Sequence, residues 1–486
     1  MFRAPIKPIA PKKSQYGVAP ELVKTRVSEL PGMCSLMLKE LFPDLPDVIY
    51  PGKEDAFENI KKAAYESLRK IDMSMIKPEH SVNVLASHHG FTLLGGEPYA
   101  ILLRCIRDII IEKTGCENIR LRAGVGMRFR ETEEYMKSYH LDEYYKNKVA
   151  GVAPIDQGIP IETEIGTLYG LKRVYDADWI VHAHHSDVRE VHFHRQVDKA
   201  VKPFGMSYAR AETRSTYHQN LGPRAANFTA RAIFDSEFVQ SKFAFASFLD
   251  VGPHGVIGVD SDNDLYALNE RATIVGCKLY GKAMTLFGKI DECIAVLDFP
   301  CPVPYVFAAG VIYANFPGAY IDLYDLEKPL PPYTWYTEAF YGENDKPLLS
   351  DIPLMSPAIK MCVHNYAWIG YPSEFFAKHI PTIVVGEEQA ELFDMDSMNI
   401  HYMDYALTAR STEQAMEFAY KTTGTDKVVI FDGAMGGMNV SESLAKYLIK
   451  IAPEVSKLVD DELLPKWLRQ RGFDNKTLDK YQIAHD

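Results

Sequence analysis

Residues 175–218 read YDADWIVHAHHSDVREVHFHRQVDKAVKPFGMSYARAETRSTYH and hold six of the chain's fifteen histidines. An apolar run leads directly into His182, His184 and His185, and we predict a strand over residues 176–182. Neutral imidazole can ligate a metal or accept a proton near physiological pH, so this cluster beside lysines indicates metal, cofactor or acid/base chemistry. The alternative is a solvated His-rich face, because His-x-His spacing puts two rings on one side of a strand without a third ligand.

Alternating strand and helix patterns surround this stretch. Residues 82–86 form a short apolar run typical of a buried strand, and a helix is predicted over 98–113. A long helix over 263–287 is predicted to bridge two lobes, after which the alternation restarts. Near the C-terminus, Ser411 with Gln414 forms a capping-box pattern at the start of another helix. The sequence therefore predicts an α/β fold of two lobes, each a mostly parallel sheet flanked by helices.

The predicted boundaries follow from where this alternation stops and restarts. They are an N-terminal arm over 1–30, a first α/β lobe over 31–288, a second over 289–440 and a helical tail over 441–486. The prolines of the arm favour an extended segment, which could pack on a partner subunit in a homo-oligomer.

Composition excludes several classes of protein. A net charge of -12 over 486 residues argues against general nucleic-acid binding, which needs a basic surface. Apolar runs fall well short of the roughly 20 residues that span a bilayer, and no signal-peptide pattern follows the N-terminus. The seven cysteines are dispersed without a C-x-x-C pair, which is typical of reduced thiols in a cytoplasmic protein.

Polar side chains follow two of the predicted strands. His88 and His89 come directly after the strand over 82–86, and Arg128 and Arg130 come after another predicted strand. Ligands collect at the carboxyl ends of strands in α/β sheets, so all four are candidates for a site. The arginines are suited to a carboxylate or a phosphate, although surface salt bridges are the alternative.

Several segments together resemble one known family. These are SHHGFTLLGGEPYAILLRCIR, IRLRAGVGMRFRETEEYM, ADWIVHAHHSDVREVHFHRQVDKAVKPFG, FPGAYIDLYDLEK and ALTARSTEQAMEFAYKTTGTDKVVIFDGAMGG. They are similar to segments of the nickel-dependent lactate racemases that carry a pincer nucleotide cofactor. The resemblance implies a two-lobed α/β enzyme with its active site in the cleft between the lobes, and cofactor-biosynthesis proteins as partners.

The resemblance also assigns roles to particular residues. Lys199 falls at the position of the lysine that bonds covalently to the sulfur-bearing nucleotide, and His218 is the candidate nickel ligand. Lys328 and Asp325 fall where the family has a lysine and a glutamine facing its active site. Tyr324, beside them, is a candidate for a hydrogen bond to the substrate, with aromatic packing as the alternative.

The departures from the family pattern bear on the substrate. Met127 and Arg189 stand where the family has its two acid/base histidines, and a methionine cannot take a proton from a hydroxyl. Lactate is therefore not the expected substrate. The imidazoles that could replace the lost bases are His88, His89, His192 and His194. The arginines that could anchor a carboxylate or the cofactor phosphate are Arg128, Arg130, Arg189 and Arg195.

Three functions remain as hypotheses. The first is a racemase or epimerase of a 2-hydroxy acid or sugar acid, which removes and returns a hydride through the nickel pincer nucleotide. The second is a lyase, dehydratase or hydrolase that holds zinc or iron in the histidine cluster. The third is a non-catalytic binder of an acidic or phosphorylated small molecule.

Overall fold

The computed structural model describes most of the chain. The described residues are 2–7, 20–52, 54–92, 96–124, 131–186, 199–219, 228–298, 316–328, 355–366, 374–395 and 400–484. For a few residues at the edges of these ranges, His88 and His218 among them, it describes the backbone alone.

Two sheets of mostly parallel strands form the framework. The first has six strands in the order β4-β3-β2-β7-β8-β9, and the second has seven in the order β1-β15-β14-β10-β11-β12-β13. In the first sheet, all neighbours are parallel except the last pair, β8 and β9. Its strands are β2 (Ser81–Ser87), β3 (Asn118–Gly124), β4 (Val149–Val152), β7 (Trp179–His185), β8 (Phe243–Gly252) and β9 (Gly255–Asp262). A separate hairpin joins β5 (Gly158–Thr163) to β6 (Gly166–Leu171).

Helices cover both faces of the first sheet. One face packs against α2 (Phe57–Leu68) and α4 (Glu97–Thr114), and the other packs against α8 (Lys202–Gly205) and α10 (Phe228–Asp235). The helices before the bridging helix are α1 (Leu38–Leu41), α2 (Phe57–Leu68), α3 (His88–Thr92), α4 (Glu97–Thr114), α5 (Glu131–Ser138), α6 (Leu141–Tyr144), α7 (Lys172–Tyr175), α8 (Lys202–Gly205), α9 (Ala211–Gln219), α10 (Phe228–Asp235) and α11 (Glu237–Gln240).

The second sheet is parallel over five strands and antiparallel at one edge, where β15 and β1 add to β14. Its strands are β1 (Met33–Met37), β10 (Cys293–Leu297), β11 (Ile359–His364), β12 (Thr382–Val385), β13 (Ala406–Ala409), β14 (Val428–Phe431) and β15 (Gly437–Ser441). The accompanying helices are α12 (Leu265–Gly288), α13 (Glu374–His379), α14 (Glu387–Asp394), α15 (Tyr402–Tyr405), α16 (Thr412–Thr423), α17 (Glu442–Leu458), α18 (Leu464–Gln470) and α19 (Asn475–Lys480).

Helix α12 connects the two sheets. Its first turn, capped by Asp264, packs in the core of the first sheet, and residues from Ile274 onward pack in the core of the second. The fully buried ammonium of Lys282 lies toward its C-terminal end. It donates to Asp44 Oδ2 at 2.6 Å and to Asp460 Oδ2 at 2.6 Å, so one cation joins the N-terminal segment, the bridging helix and the tail.

The N-terminal arm packs on its own chain. Ile6 exchanges two backbone hydrogen bonds with the side-chain amide of Asn439, each 2.8 Å long. Farther along, the amide N–H of Val27 donates to Asp298 Oδ2 at 2.9 Å, and Asn365 donates to the carbonyl of Thr25 at 2.8 Å. Asp298 and Asn365 directly follow β10 and β11, so the arm covers the carboxyl edge of the second sheet.

Comparison with the sequence predictions confirms the α/β class with two mostly parallel sheets. Ser411 caps the helix, because its side chain accepts a hydrogen bond from the Gln414 amide, but the Gln414 side chain accepts from the Arg410 amide, so the reciprocal bond of a capping box is replaced. Two boundaries differ. Strand β1, which the predicted boundaries put in the first lobe, is instead an edge strand of the second sheet. The predicted strand over 176–182 is displaced to Trp179–His185, so all three histidines lie within it.

Two further sequence expectations can be set beside the structure. None of the described helices has the length and apolar character needed to cross a membrane. The six described cysteines are all buried and free of disulfide bonds, and Cys301 lies outside the described residues.

The β1–β15 pairing leaves no room for a side chain at Gly437. A Cβ built there would lie 2.0 Å from the Leu36 carbonyl oxygen. We expect Gly437→Ala to lower the free energy of unfolding by about 2–3 kcal/mol, because the two strands must separate. Gly258→Ala is the matched control, since its Cβ would meet nothing closer than Asp250 Cβ at 4.0 Å. Equal stability loss in the two variants, measured by urea unfolding, would contradict the expectation.

The buried carboxyl of Asp298 makes stability depend on pH. Burial raises its pKa to about 8, with Arg26 opposing the shift and Asp432 adding to it. The folded state therefore binds this proton more tightly than the unfolded chain, so its contribution is complete at low pH and is lost as pH rises through about 8. We expect Asp298→Asn to flatten the fall in unfolding free energy between pH 5 and about 8. Asp47→Asn, at a side chain 95% exposed, should leave that slope unchanged.

Candidate functional site

The carboxyl edge of the first sheet is held together by Tyr99 of α4. Its hydroxyl accepts a hydrogen bond from the Ser87 amide at 3.2 Å and donates to the Ala183 carbonyl at 2.8 Å. The ring passes so close to Gly90 that a Cβ there would lie 2.3 Å from it. One buried tyrosine thus fixes the end of β2 against β7, and burial raises its pKa, so the hydroxyl stays neutral.

His182 is a buried structural residue in a defined tautomer. Its Nε2 lies 3.1 Å from the Ala200 carbonyl oxygen, and its Nδ1 lies 3.0 Å from the Tyr208 hydroxyl. A carbonyl can only accept, so Nε2 carries the proton and Nδ1 accepts from Tyr208. Burial lowers the pKa of His182 to about 3, with the bond to Ala200 opposing the shift. The ring is therefore neutral at physiological pH and positions backbone rather than exchanging protons.

The backbone beside Lys199 is fixed from two sides. The carbonyl of Ala200 accepts from His182 on β7, and its amide N–H donates to Asn269 Oδ1 on α12 at 2.9 Å. Lys199 itself is 6% exposed. Ala200, the residue after this lysine, is thus attached to both the first sheet and the bridging helix, which fixes the backbone from which the Lys199 side chain starts.

Further imidazole and hydroxyl groups lie at the same edge. His184 lies on the same face of β7 as His182, with ring centroids 5.4 Å apart, and its Nδ1 lies 3.2 Å from Ser87 Oγ. The ring of His185 is 4.4 Å from that of His184. His89, on the short helix α3 that follows β2, is half-buried.

One carboxyl group on the neighbouring strand titrates close to neutral pH. Asp250, near the end of β8, has its pKa raised to about 6 by burial, then by Asp260, against a hydrogen bond from Ser186. Ser186 directly follows β7 and accepts from the Val251 amide at 2.9 Å. The edge therefore combines imidazoles and a carboxyl with the backbone beside Lys199, and imidazole and carboxyl groups can move protons.

Many predicted site residues lie outside the described residues or have only their backbone described. His192, His194, Arg128, Arg130, Arg189 and Arg195 lie outside the described residues. For His88 and His218 only the backbone is described, at the start of α3 and near the end of α9. Within the described part of the chain, no three His, Cys, Asp or Glu side chains come together as a metal-binding group.

The predicted substrate residues of the second lobe lie elsewhere. Asp325 accepts from Lys466 Nζ and from Gln470 Nε2, each at 2.6 Å. Burial alone would raise the pKa of Asp325, but these bonds bring it below the usual value. The ring of Tyr324 packs on Trp467 with centroids 4.7 Å apart. Both residues therefore attach the loop over 316–328 to the C-terminal tail.

The backbone beside Lys199 and the cavity beside Lys328 meet α12 at different places. The Ala200 amide contacts α12 at Asn269, whereas Lys328 lines a cavity whose helical wall begins at Met284. Fifteen residues of α-helix separate these points, a rise of about 22 Å. The expectation of a single cleft that contains both lysines stays a prediction.

Sequence reasoning missed the residues that position the site. His184 was named in the histidine cluster but given no role in the site, although it lies near the end of an apolar strand at the edge where ligands collect. Asn269 and Tyr99 had none, because one asparagine or tyrosine in a predicted helix does not reveal which distant backbone it contacts.

The chain is similar to known proteins in structure and not in sequence. Neither the protein-family models nor the curated proteins include a match to this chain. Among solved structures, the chain is similar to the lactate racemase apoprotein from Thermoanaerobacterium thermosaccharolyticum, with a TM-score of 0.45 and 13% sequence identity. The match covers 77% of this chain and 91% of that one. The case for a function therefore rests on the residues themselves.

Replacing His182 should loosen the backbone of Lys199. In His182→Phe the ring shape remains but the Ala200 carbonyl and the Tyr208 hydroxyl lose their partner, at a cost of about 2–4 kcal/mol. We expect faster hydrogen exchange at the Ala200 amide, measured by mass spectrometry.

His364→Phe is the matched control for this prediction. His364 is equally buried in the second sheet, has a pKa lowered to about 3 by burial, and bonds to the Tyr402 hydroxyl at 2.8 Å. It should lose stability while leaving exchange at Ala200 in the native state unchanged. Faster exchange at Ala200 in both variants would sink the positioning role of His182.

Proposed function

We propose that the protein is a racemase or epimerase of a 2-hydroxy acid or sugar acid other than lactate, with a nickel pincer nucleotide attached at Lys199. The observation that carries the proposal is the fixed peptide of Lys199 at the carboxyl edge of the first sheet. A covalently held cofactor requires an amine whose position does not drift, and the bonds from β7 and α12 supply that constraint.

The residues present fit such a group. Lys199 is buried, at 6% exposure, as an amine joined to a cofactor would be. A cofactor that brings donor atoms of its own needs one protein imidazole rather than a cluster of three. His218 is the candidate ligand by resemblance, on helix α9, which packs beside α8 just beyond Lys199. When bound, the cofactor would accept a hydride from the substrate carbon and return it.

The remaining chemistry is proton transfer to and from the substrate hydroxyl. His89 and His184 follow or end different strands, β2 and β7, at one edge, and we assign them to this work beside the candidates His88, His192 and His194. Asp250, with its pKa of about 6, can hold a proton near the same edge at mildly acidic pH. Tyr324, Asp325 and Lys328 are left out of the proposed site, because Tyr324 and Lys328 line a cavity at the other end of α12 and Asp325 bonds to the C-terminal tail.

The decisive measurement is the intact mass and metal content of protein expressed with cofactor-making proteins. We expect a nucleotide adduct and nickel on the wild-type chain, and neither on Lys199→Ala. Lys202→Ala, three residues along the chain, is the control and should keep the adduct. Wild-type protein without adduct or nickel would end the proposal, and zinc or iron bound without that machinery would favour the metal-dependent lyase or hydrolase instead.

The mechanism has its own readout. If the hydride is removed and returned by the cofactor, a racemised substrate keeps its carbon-bound hydrogen in D₂O. We expect at least one member of a panel of 2-hydroxy acids and sugar acids to change its optical rotation. NMR of that substrate should show no deuterium at the reacting carbon. Deuterium incorporation at that carbon would instead indicate removal of a proton.

A further inference from the structure

A cavity of about 290 Å³ opens between the end of α12, the loop over 316–328 and the C-terminal tail. Its lining includes the apolar side chains of Met284, Leu458 and Leu463. Its volume is near the lower end of the range of small-molecule sites, at roughly 300 Å³. The acid/base groups proposed above do not contribute to it.

The walls of this cavity are attached to one another. A Cβ at Gly288 would lie 2.1 Å from the Ala319 carbonyl oxygen, so the end of α12 and the loop meet backbone to backbone. The Trp467 indole donates to Asp322 Oδ2 at 2.9 Å, and Lys466 bonds to Asp325 at 2.6 Å. The loop is thus fixed to the helix on one side and to the tail on the other, so the cavity is preformed.

Lysines dominate the charge of the lining. Lys289, Lys328 and Lys466 all line the cavity, and each has at least part of its side chain in solvent. The hydrogen bond to Asp325 raises the pKa of Lys466 and keeps it charged. Among the described lining residues the single carboxylate is Asp322. Its Oδ1 already accepts from the amides of two loop residues and its Oδ2 from Trp467.

Neutral hydrogen-bonding groups complete the lining. The hydroxyl of Tyr320 stays protonated because burial raises its pKa to about 12, and Thr285 adds an aliphatic hydroxyl on α12. Ammonium groups and hydroxyls together with apolar side chains suit a carboxylate or a phosphate carried on a short carbon skeleton.

We propose that this cavity is a second ligand site, which binds a small organic anion, at a distance of about 22 Å along α12 from the point where that helix holds the Lys199 peptide. The proposal does not rest on the function assigned to Lys199. The site is present in the chain without any cofactor, so its test needs neither nickel nor catalytic activity.

Titration calorimetry on the full-length chain tests the site. The probes are glycerol 3-phosphate and succinate, with uncharged glycerol as the control ligand. We expect at least one anion to bind, with affinity falling as salt is added, and glycerol not to bind. Preference for glycerol 3-phosphate would assign a phosphate, and preference for succinate a carboxylate. Absence of binding by both anions would overturn the proposal.

Three variants assign the binding to this cavity. Lys289→Gln combined with Lys328→Gln removes two positive charges from the lining and should weaken binding about tenfold or more. Thr285→Phe should abolish binding by filling the space while keeping every charge. Lys360→Gln is the control, since that exposed lysine on β11 bonds to the Pro357 carbonyl outside the cavity. Unchanged affinity in the first two variants, with thermal unfolding showing them folded, would place the anion elsewhere and overturn the proposal.

Discussion

The burial of α12 between the two sheets is the constraint on which the rest of the structure depends. A helix of 24 residues with apolar side chains in both cores fixes the distance between everything that contacts its two ends. The ammonium of Lys282, fully buried toward the C-terminal end of this helix, adds a specific requirement. Removing either Asp44 or Asp460 would leave a buried charge with fewer partners, which is costly, so these segments must assemble in this arrangement.

The two carboxyl edges are used differently as a result. At the second sheet, the N-terminal arm lies over the strand ends and takes up the hydrogen-bonding groups of Asp298 and Asn365. At the first sheet, the strand ends present His184, His185 and the peptide of Lys199. The N-terminal arm thus covers the carboxyl edge of the second sheet, whereas imidazole groups lie at the carboxyl edge of the first.

The histidines of β7 show how burial divides residues of one type among roles. His182 is fully buried, neutral and bonded to the Ala200 carbonyl, so it acts on the backbone. His184, two residues later on the same face, contacts Ser87 at the strand end. The role of each histidine in this stretch therefore depends on its position along the strand and not on the number of histidines.

The sequence by itself determined the α/β class, the positions of elements such as β2, α4 and α12, and features such as the Ser411 cap, because periodicity and capping depend on residues a few positions apart. Only the tertiary structure decided that β1 pairs with β15, that Asn269 holds the Lys199 peptide, and that Lys328 lies far along α12 from it. These contacts join residues separated by tens to hundreds of positions, and local patterns carry no record of which distant partner is chosen. The family resemblance likewise pointed to Lys199 and Lys328 as residues of one site, but it contains no information on the length of helix between their contacts on α12.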